Sequence, residues 1–268
     1  MTDLDVTTLR AAYDAQLRPG LPDPAPQGAR VEQDGPLFRV FGLDDVGLVT
    51  YRDLGGTADA ELDALIARQV AVARERGEPV EWKLHGHDEP ADLPQRLRAA
   101  GFVPQTQETV MVGPVAPLAS ALPVVPEGVR LREVTTRADL DRIAALETEL
   151  WGRDLTGLAD GLEREIAADP QAITVVVAEA GEAGETVVSA GWVRYPPDTT
   201  FATLWGGSTH PQWRRQGVYR ALVTYRARLA GQRDRTLLQV DAADESRPLL
   251  GRLGLVPVTS TTPYVYTP

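Results

Sequence analysis

The sequence predicts an α/β protein of two domains, each with a mixed, mostly antiparallel sheet flanked by helices. The chain has 268 residues, which is more than one small core needs and is comfortable for two domains of ordinary size. Hydrophobic residues make up 43% of it, enough to form folded cores. Strand-like runs alternate with amphipathic helical runs along the chain, and a proline-rich segment separates the two halves.

The N-terminal half, residues 1–115, is predicted to be one domain built around a long helix. That helix spans Thr57–Arg76, with Thr57 as its N-cap and Gly77 at its end. Asp34 and Gly35 form a predicted hairpin turn. The other predicted elements are helices at 7–17 and 92–100, strands at 30–33, 37–41, 46–51, 80–84 and 102–112, and a proline-rich loop over 19–27.

The C-terminal half, residues 128–268, is predicted to be the second domain. Residues 116–127 are the predicted linker, because prolines recur there with few charges and no helical period. The predicted helices are 138–150, 158–168, 215–230 and 246–253, and the predicted strands are 129–134, 173–179, 187–195, 201–209, 236–241 and 255–266. In the helix over 215–230, the predicted apolar face is Val218, Leu222, Tyr225 and Leu229.

A short internal similarity links the two halves. Residues 95–104 match residues 249–257 in kind, and each segment follows a long helix, a buried strand and a second helix. The shared order of elements predicts two copies of one fold.

Composition excludes several classes of function. The chain has no cysteine, so it has no disulfides, thiol nucleophiles or cysteine-ligated metals. Its formal net charge of −11 disfavours nucleic-acid binding and favours, weakly, a cationic substrate. The acidic N-terminus does not resemble a signal peptide, and no apolar run approaches the ~20 residues that span a bilayer. We expect a cytoplasmic protein without a membrane partner, monomeric or homodimeric.

The most informative segment is Arg214–Tyr219, between the strand over 201–209 and the long helix that follows. Backbone N–H groups at a helix start lack partners, and the helix dipole adds partial positive charge there. Gly217 permits close approach to the main chain, and Arg214, Arg215 and Arg220 add full charges. These features predict a phosphate-binding turn.

The run His210–Leu222 resembles the acyl-CoA-binding motif of GNAT-family N-acetyltransferases, Gln/Arg-x-x-Gly-x-Gly/Ala. Arg214 matches its first position and Gly217 its fourth, whereas Tyr219 replaces the small residue at its sixth. The run Ser246–Leu255 resembles the second conserved stretch of the family. The resemblance covers residues 129–268 well and the N-terminal half as a faded copy, which implies two tandem acyl-CoA N-acyltransferase (GNAT) folds.

The resemblance implies acetyl-CoA as cosubstrate and no metal. In this family the strand before the motif diverges from its neighbour, and the pantetheine arm inserts there. Gly206 and Gly207 suit that close approach, and a backbone N–H of the strand stabilises the oxyanion. The residues expected to bind the cofactor are Ser208, Thr209, Arg214, Arg215, Gln216, Gly217, Val218, Tyr219, Arg220 and Ser246. The matching N-terminal loop, 53–61, carries carboxylates in place of arginines, so we expect that copy not to bind coenzyme A.

An acceptor ammonium, with a pKa near ~10, must lose a proton before it attacks. The base is a carboxylate, a histidine or a chain of waters. Asp241 is the first candidate, because it ends a strand beside the expected divergence, and His210 lies at its mouth. Further candidates, at or beyond the end of the first helix of this half, are Glu147, Glu149 and Asp154.

The tyrosine that protonates the leaving thiolate in the family is replaced here by Leu250. Either the thiolate leaves unaided or another group protonates it. Tyr264 is the residue we assign to this step, with Tyr219 and Tyr266 as alternatives. His85 and His87 lack a third histidine nearby, which disfavours a metal site. The five tryptophans line an acceptor pocket or pack in cores, and Arg226 and Arg228 are expected on a solvated helix face. The tryptophans are Trp82, Trp151, Trp192, Trp205 and Trp213.

The sequence thus predicts an N-acetyltransferase that moves an acetyl group from acetyl-CoA to a primary amine of a small molecule or a polypeptide. A non-catalytic acyl-CoA sensor is the main alternative, because the usual tyrosine is absent at Leu250. A scaffold without cofactor and an enzyme that uses a longer acyl-CoA are the other two.

Overall fold

The computed structural model describes residues 5–18, 29–42, 46–181 and 186–268. The predicted loop over 19–27 lies outside these ranges. The helices are α1 Val6–Leu17, α2 Asp59–Arg76, α3 Leu93–Ala99, α4 Val115–Ala119, α5 Arg137–Trp151, α6 Gly157–Ala168, α7 Val218–Gly231 and α8 Arg247–Arg252. The strands are β1 Arg30–Asp34, β2 Leu37–Phe41, β3 Gly47–Thr50, β4 Val80–His85, β5 Val103–Pro104, β6 Glu108–Pro114, β7 Val129–Val134, β8 Ile173–Ala180, β9 Thr186–Arg194, β10 Phe201–Thr209, β11 Leu237–Ala242 and β12 Val256–Tyr266.

The chain divides into two compact units. Unit 1 comprises Met1–Met111, Asp241–Arg247 and Pro257–Pro268, and unit 2 comprises Val112–Val240 and Pro248–Val256. Two segments that the sequence assigns to the C-terminal domain, 241–247 and 257–268, therefore group with unit 1. The reason for the second is strand pairing, since β12 pairs antiparallel with β4, from Thr261 opposite His85 to Tyr266 opposite Val80.

In unit 1, helix α2 lies over a sheet of strand order β1-β2-β3-β4-β12. The first three strands are antiparallel, and β3 runs parallel to β4. The hairpin turn predicted at Asp34-Gly35 is present, because Asp34 pairs with Leu37. Gly77 ends α2 in the left-handed conformation, as predicted, but the N-cap is Ala58 rather than Thr57. Buried α2 side chains include Leu62, Leu65, Ile66, Gln69 and Val70.

Unit 2 has the strand order β11-β10-β9-β8-β7. Strands β7 to β10 are antiparallel, and β10 runs parallel to β11. Every residue of β8 is buried, because both faces of this sheet are covered. Val175 and Val177 pack in a core with α5 and α6, whereas Ala178 and Ala180 pack in a core with the start of α7.

The predicted linker begins inside a helix of unit 2. The N–H of Val115, the first residue of α4, donates to the carbonyl of Thr236 at 2.9 Å. A Cβ placed on Gly231 of α7 would lie 3.0 Å from Cβ of Ala119, which shows how closely α4 and α7 approach. Apolar contact with α7 therefore gives residues 115–119 a structure that their prolines do not predict.

Both units contain the same succession of elements. Unit 1 runs through β1, β2, β3, α2, β4 and α3, and the other series is β8, β9, β10, α7, β11 and α8. In each series three antiparallel strands precede a long helix, and the strand after that helix pairs parallel to the strand before it. Within the described residues, no helix combines the length and apolar character needed to cross a bilayer.

Candidate active site

Strand β10 leaves its regular pairing just before the arginine-rich turn. It pairs with β11 only at Phe201, Ala202 and Thr203, although β10 continues to Thr209. On its other side the register with β9 shifts between Gly206 and Ser208. The divergence expected beside the motif is therefore present as a short parallel pairing followed by a bulge.

The bulge depends on glycines. Gly206 and Gly207 have φ values of 63° and 96°, a region that residues with a Cβ rarely adopt. A Cβ on Gly207 would also lie 2.7 Å from the ring of Tyr219, and one on Gly206 would lie 2.7 Å from the ring of Trp192. A side chain at either position would thus both strain the backbone and displace an aromatic ring.

The turn after β10 leaves the start of α7 open. Residues Pro211–Trp213 form one 3₁₀ turn, and Arg214 Nε donates to the carbonyl of Thr209 at 3.0 Å. The chain then passes through left-handed conformations at Arg215 and Gly217, with φ values of 61° and 93°. Helix α7 therefore begins at Val218, three residues later than predicted, and no described side chain caps it.

This helix start matches the chemistry of a diphosphate. Arg214, Arg215 and Arg220 are exposed, and a Cβ at Gly217 would meet no atom within 4 Å. The first N–H groups of a helix are unpaired within it and carry the positive end of the dipole. The described residues thus fit the anionic carrier that the motif implies, with arginines and N–H groups as donors.

Glu147 lies beside the bulge, on helix α5. Its side chain is 4% exposed, and its Oε2 accepts hydrogen bonds of 2.8 Å from Ser208 Oγ and from Trp151 Nε1. Its Oε1 is buried without a hydrogen-bond partner in the part of the chain that the structure describes. Burial raises the pKa of Glu147 above its ordinary value, and the two hydrogen bonds oppose that rise only in part.

Arg226 is buried under the same bulge, and the prediction of a solvated position for it is wrong. It is 1% exposed, and its Nη1 donates to the carbonyls of Trp192 and Trp205 at 3.1 and 2.8 Å. Among the described residues it forms no ion pair with a carboxylate, and burial lowers its pKa to about 10. The buried face of α7 is accordingly rotated from the predicted one, and Tyr225 is only half-buried.

Of the three predicted catalytic residues, His210 lies in unit 2, whereas Asp241 and Tyr264 lie in unit 1. In unit 2, His210 Nε2 lies 3.3 Å from Glu149 Oε1, and its Nδ1 accepts from the N–H of Gln212 at 3.4 Å. In unit 1, Asp241 forms an ion pair with Lys83, at 2.8 Å between Oδ2 and Nζ. Tyr264, also in unit 1, is 2% exposed in the apolar core.

The other residues predicted to act in cofactor binding or thiolate protonation are also divided between unit 1 and unit 2. Ser246 belongs to unit 1, where its Oγ donates to the carbonyl of Ala243 at 3.0 Å. Tyr266 is also in unit 1 and accepts from Arg74 Nε at 2.7 Å. Tyr219 is the tyrosine beside the bulge, with its ring against Gly207, and Leu250 is fully buried.

The five tryptophans divide by exposure. Trp82 and Trp192 are 0% and 7% exposed and belong to cores, and Trp213 is partly buried. Trp151 and Trp205 are 63% and 45% exposed. Within the described ranges, no group of three or more His, Asp or Glu side chains is arranged to hold a metal ion.

Comparison with known proteins identifies the fold. No family model matches the chain, and no curated protein matches it. A GCN5-related N-acetyltransferase from Kribbella flavida superposes with a TM-score of 0.65 at 15% identity, covering 98% of this chain and 96% of that one. A tandem GNAT protein from the clavulanic acid biosynthesis pathway, in a structure without acetyl-CoA, has a TM-score of 0.62 at 16% identity over 90% and 84% of the two chains. A conserved protein of unknown function from Staphylococcus epidermidis has a TM-score of 0.64 at 12% identity over 91% and 96%.

These neighbours show the fold. The chain has the mixed α/β fold of GNAT N-acetyltransferase structures. Because the identities are low, the likeness is one of fold, and activity has to be argued from the site itself.

Proposed function

We propose that the chain is an acetyl-CoA-dependent N-acetyltransferase, with unit 2 binding the donor. The observation that carries the proposal is one local arrangement. The open, arginine-bearing start of α7 follows a strand whose parallel pairing ends at Thr203, and a buried carboxylate, Glu147, lies against the same strand. The two partners of the reaction thus have separate positions along β10.

The donor is held by the start of α7. Arg214 and Arg215 neutralise the diphosphate, and the N–H groups that follow Gly217 donate to it. Acetyl-CoA supplies an activated acetyl thioester when it is bound. The end of the β10–β11 pairing at Thr203 leaves the edge of β10 beyond it for an extended arm, and the same edge admits a longer acyl group.

Glu147 is the base that we propose, in place of Asp241 and His210. Asp241 is neutralised by Lys83, and both ring nitrogens of His210 face local partners. Glu147 has a free buried oxygen and a raised pKa, so it is suited to take a proton from an ammonium near neutral pH. Ser208 orients the carboxylate through its hydrogen bond.

Tyr219 is the acid that we propose for the leaving thiolate. Leu250 fills the position of the usual tyrosine, and Tyr264 and Tyr266 lie in the core of unit 1. Tyr219 is the tyrosine whose ring contacts the bulge. This proximity supports Tyr219 as the donor of that proton.

We further propose that unit 1 is a second, degenerate copy of the same fold that does not bind the donor. The repeated order of elements supports the duplication. Carboxylates at Asp53, Asp59 and Glu61 surround the start of α2, where unit 2 has arginines, and they disfavour a diphosphate.

Glu147→Gln tests the proposed chemistry. Thiol release from acetyl-CoA with a panel of primary amines gives kcat/KM, and we expect a loss of about 10²–10⁴-fold because the amide cannot accept the proton. Glu149→Gln is the matched control, since Glu149 is exposed on the same helix, and we expect less than about threefold change. Equal losses in the two variants would reject Glu147 as the base.

An acyl-CoA sensor is the second candidate, favoured by the buried Leu250 at the usual position of the acid. It predicts that acetyl-CoA binds without thiol release for any amine. It also predicts that Tyr219→Phe leaves the affinity for acetyl-CoA unchanged.

A further inference from the structure

Two exposed tryptophans flank the proposed base. Trp151 is joined to Glu147 by its indole N–H. Trp205 and Ser208 lie opposite Trp192 and Ala190 in the register of β9 and β10, and cross-strand partners point to the same face. Because Trp192 and Ala190 belong to the core with α5 and α6, Trp205 and Ser208 face the same side of the sheet as Glu147. Trp205 therefore lies on the side of the sheet that faces α5, the helix that carries Glu147 and Trp151.

The two indoles offer aromatic faces rather than hydrogen bonds. Trp151 donates its N–H to Glu147, and Trp205 donates its own to Thr203 Oγ1 at 2.8 Å. Arg194 lies 4.5 Å from the centroid of the Trp205 ring and is itself held by two hydrogen bonds to Glu165, at 2.6 and 2.7 Å. The Trp205 ring is thus fixed in orientation, with one face covered, and it still keeps 45% of its surface exposed.

The carboxylate between them has one unsatisfied atom. Glu147 Oε1 is buried and has no partner among the described residues, and such an acceptor is costly unless a donor reaches it. An ammonium group provides several donors and a compensating charge.

Taken together, these contacts point to a ligand with a cationic amine at one end and a flat apolar body at the other. We propose that the acceptor is an arylalkylamine, with its ammonium group on Glu147 and its ring against Trp151 and Trp205. A simple alkylamine would leave both indole faces without a contact, whereas a ring on the amine adds buried aromatic surface. This inference rests on the proposed acetyl transfer and specifies its substrate class.

The reaction balances with the groups in place. The ammonium releases one proton to Glu147, and the neutral nitrogen attacks the carbonyl carbon of the acetyl group. A C–N bond forms and the C–S bond breaks, while Tyr219 donates its proton to the thiolate, the second proton of the nitrogen restores the Tyr219 phenol, and Glu147 releases its proton to solvent. The products are the N-acetylated amine and coenzyme A, with one net proton released.

The test compares acceptors that differ in their body. Thiol release is measured with 2-phenylethylamine, ethylamine, glucosamine and spermidine at saturating acetyl-CoA. We expect kcat/KM for phenylethylamine to exceed that for ethylamine by about 10–100-fold, because aromatic surface is buried on the tryptophans. Glucosamine and spermidine are expected to fall near ethylamine. A preference for either of these two over phenylethylamine would overturn the inference.

Variants separate specificity from folding. Trp205→Ala and Trp151→Ala are expected to raise KM for phenylethylamine about tenfold or more and to change kcat less. Leu122→Ala removes an even more exposed apolar side chain elsewhere in unit 2 and is expected to leave the ratio of the two amines unchanged. Thermal unfolding of each variant shows whether the fold is retained. An unaltered KM in both folded tryptophan variants would overturn the inference.

Binding distinguishes this inference from the proposed function. Calorimetry measures phenylethylamine binding to the full chain in the presence of coenzyme A. If phenylethylamine binds, the tryptophan variants weaken that binding and no amine releases thiol, the amine site stands and acetyl transfer fails. If thiol is released with other amines and phenylethylamine does not bind, acetyl transfer stands and the inference fails.

Discussion

The starts of α2 and α7 occupy equivalent places in the two units and carry opposite charges. Each helix follows a strand that pairs parallel to the next one through three residue pairs, and each is entered through glycines in left-handed conformations. At α2, Asp53 accepts a hydrogen bond from the N–H of Gly55, and Asp59 is the first helical residue. At α7, Arg214 and Arg215 stand before Gly217.

The backbone geometry of these two helix starts is alike, and their side chains alone set which ligands they favour. The same succession of strand, glycine turn and helix gives N–H groups at both helix starts, and the side chains decide what approaches them. At α2, a carboxylate of the chain already accepts from the turn. In the proposed function, an external anion takes that role at α7.

Buried arginines give the largest expected contrast between the units. In unit 1, Arg18 is 5% exposed and bonds Asp88 at 2.6 Å, and Asp88 is itself buried. Arg18→Met leaves that carboxylate without its cation, so we expect a loss of about 3–5 kcal/mol in the free energy of unfolding. Arg226→Met removes a cation that has no described carboxylate partner, and we expect only about 1–2 kcal/mol. Denaturant unfolding of both variants measures the contrast, and a larger loss for Arg226→Met would contradict it.

Glycine substitutions give the next contrast. Gly207→Ala must adopt a positive φ and displace the ring of Tyr219, so we expect a loss of about 2–3 kcal/mol. Gly55→Ala has the same kind of backbone strain, but its Cβ would meet no atom within 4 Å, so about 1 kcal/mol is expected. Thermal unfolding of the pair checks this, and equal losses would show that the bulge tolerates a side chain.

Two carboxyl groups predict pH effects of opposite sign. Burial alone would raise the pKa of Asp88, but the contact with His85 and the charge of Arg18 lower it to about 2. A carboxyl group whose pKa is lowered in the folded state stabilises the fold at pH values above its pKa in the unfolded chain. That contribution is lost as the pH falls through the pKa of the folded state. The free energy of unfolding of the wild-type chain should therefore fall by up to about 2 kcal/mol between pH ~4 and ~2. The fall over the same interval should be smaller in Asp88→Asn, which is checked by denaturant unfolding at each pH.

Glu147 behaves in the opposite way, because burial raises its pKa. The folded state then binds the extra proton, so its contribution to stability declines as pH rises through the window above the ordinary glutamate value. Ionisation of the same group switches on the base, so kcat/KM should rise with pH in that window. A pH profile of Glu147→Gln that kept this limb would assign it to another group.

Sequence patterns predict the order of the elements, and they place the start of α7 to within three residues. The hydrophobic periods and glycines locate the long helices to within a few residues, and the arginines around Gly217 mark the anion site that we propose. The burial of two charged side chains, Glu147 and Arg226, does not follow from the predictions above, although the sequence carries a signal for it. Glu147 follows Ile143 and Ala144 at helical spacing, and Arg226 follows Leu222 in the same way. A charge on an apolar face indicates burial.

Other features could not be derived from local pattern. The grouping of 257–268 with unit 1 depends on the pairing of β12 with β4, which joins residues almost two hundred positions apart. The ion pair of Asp241 with Lys83 is equally remote in sequence. Long-range pairing of this kind carries no periodic signal.

The start of α7 is the site that we propose for coenzyme A. Calorimetry of acetyl-CoA with the wild-type chain, Arg214→Glu/Arg215→Glu and Arg52→Glu tests it most directly, because Arg52 is an exposed arginine before the corresponding turn of unit 1. We expect one site per chain, a loss of about 100-fold or more in the double variant, and wild-type affinity in Arg52→Glu. Unchanged binding in the double variant, or weakened binding in Arg52→Glu alone, would contradict the account.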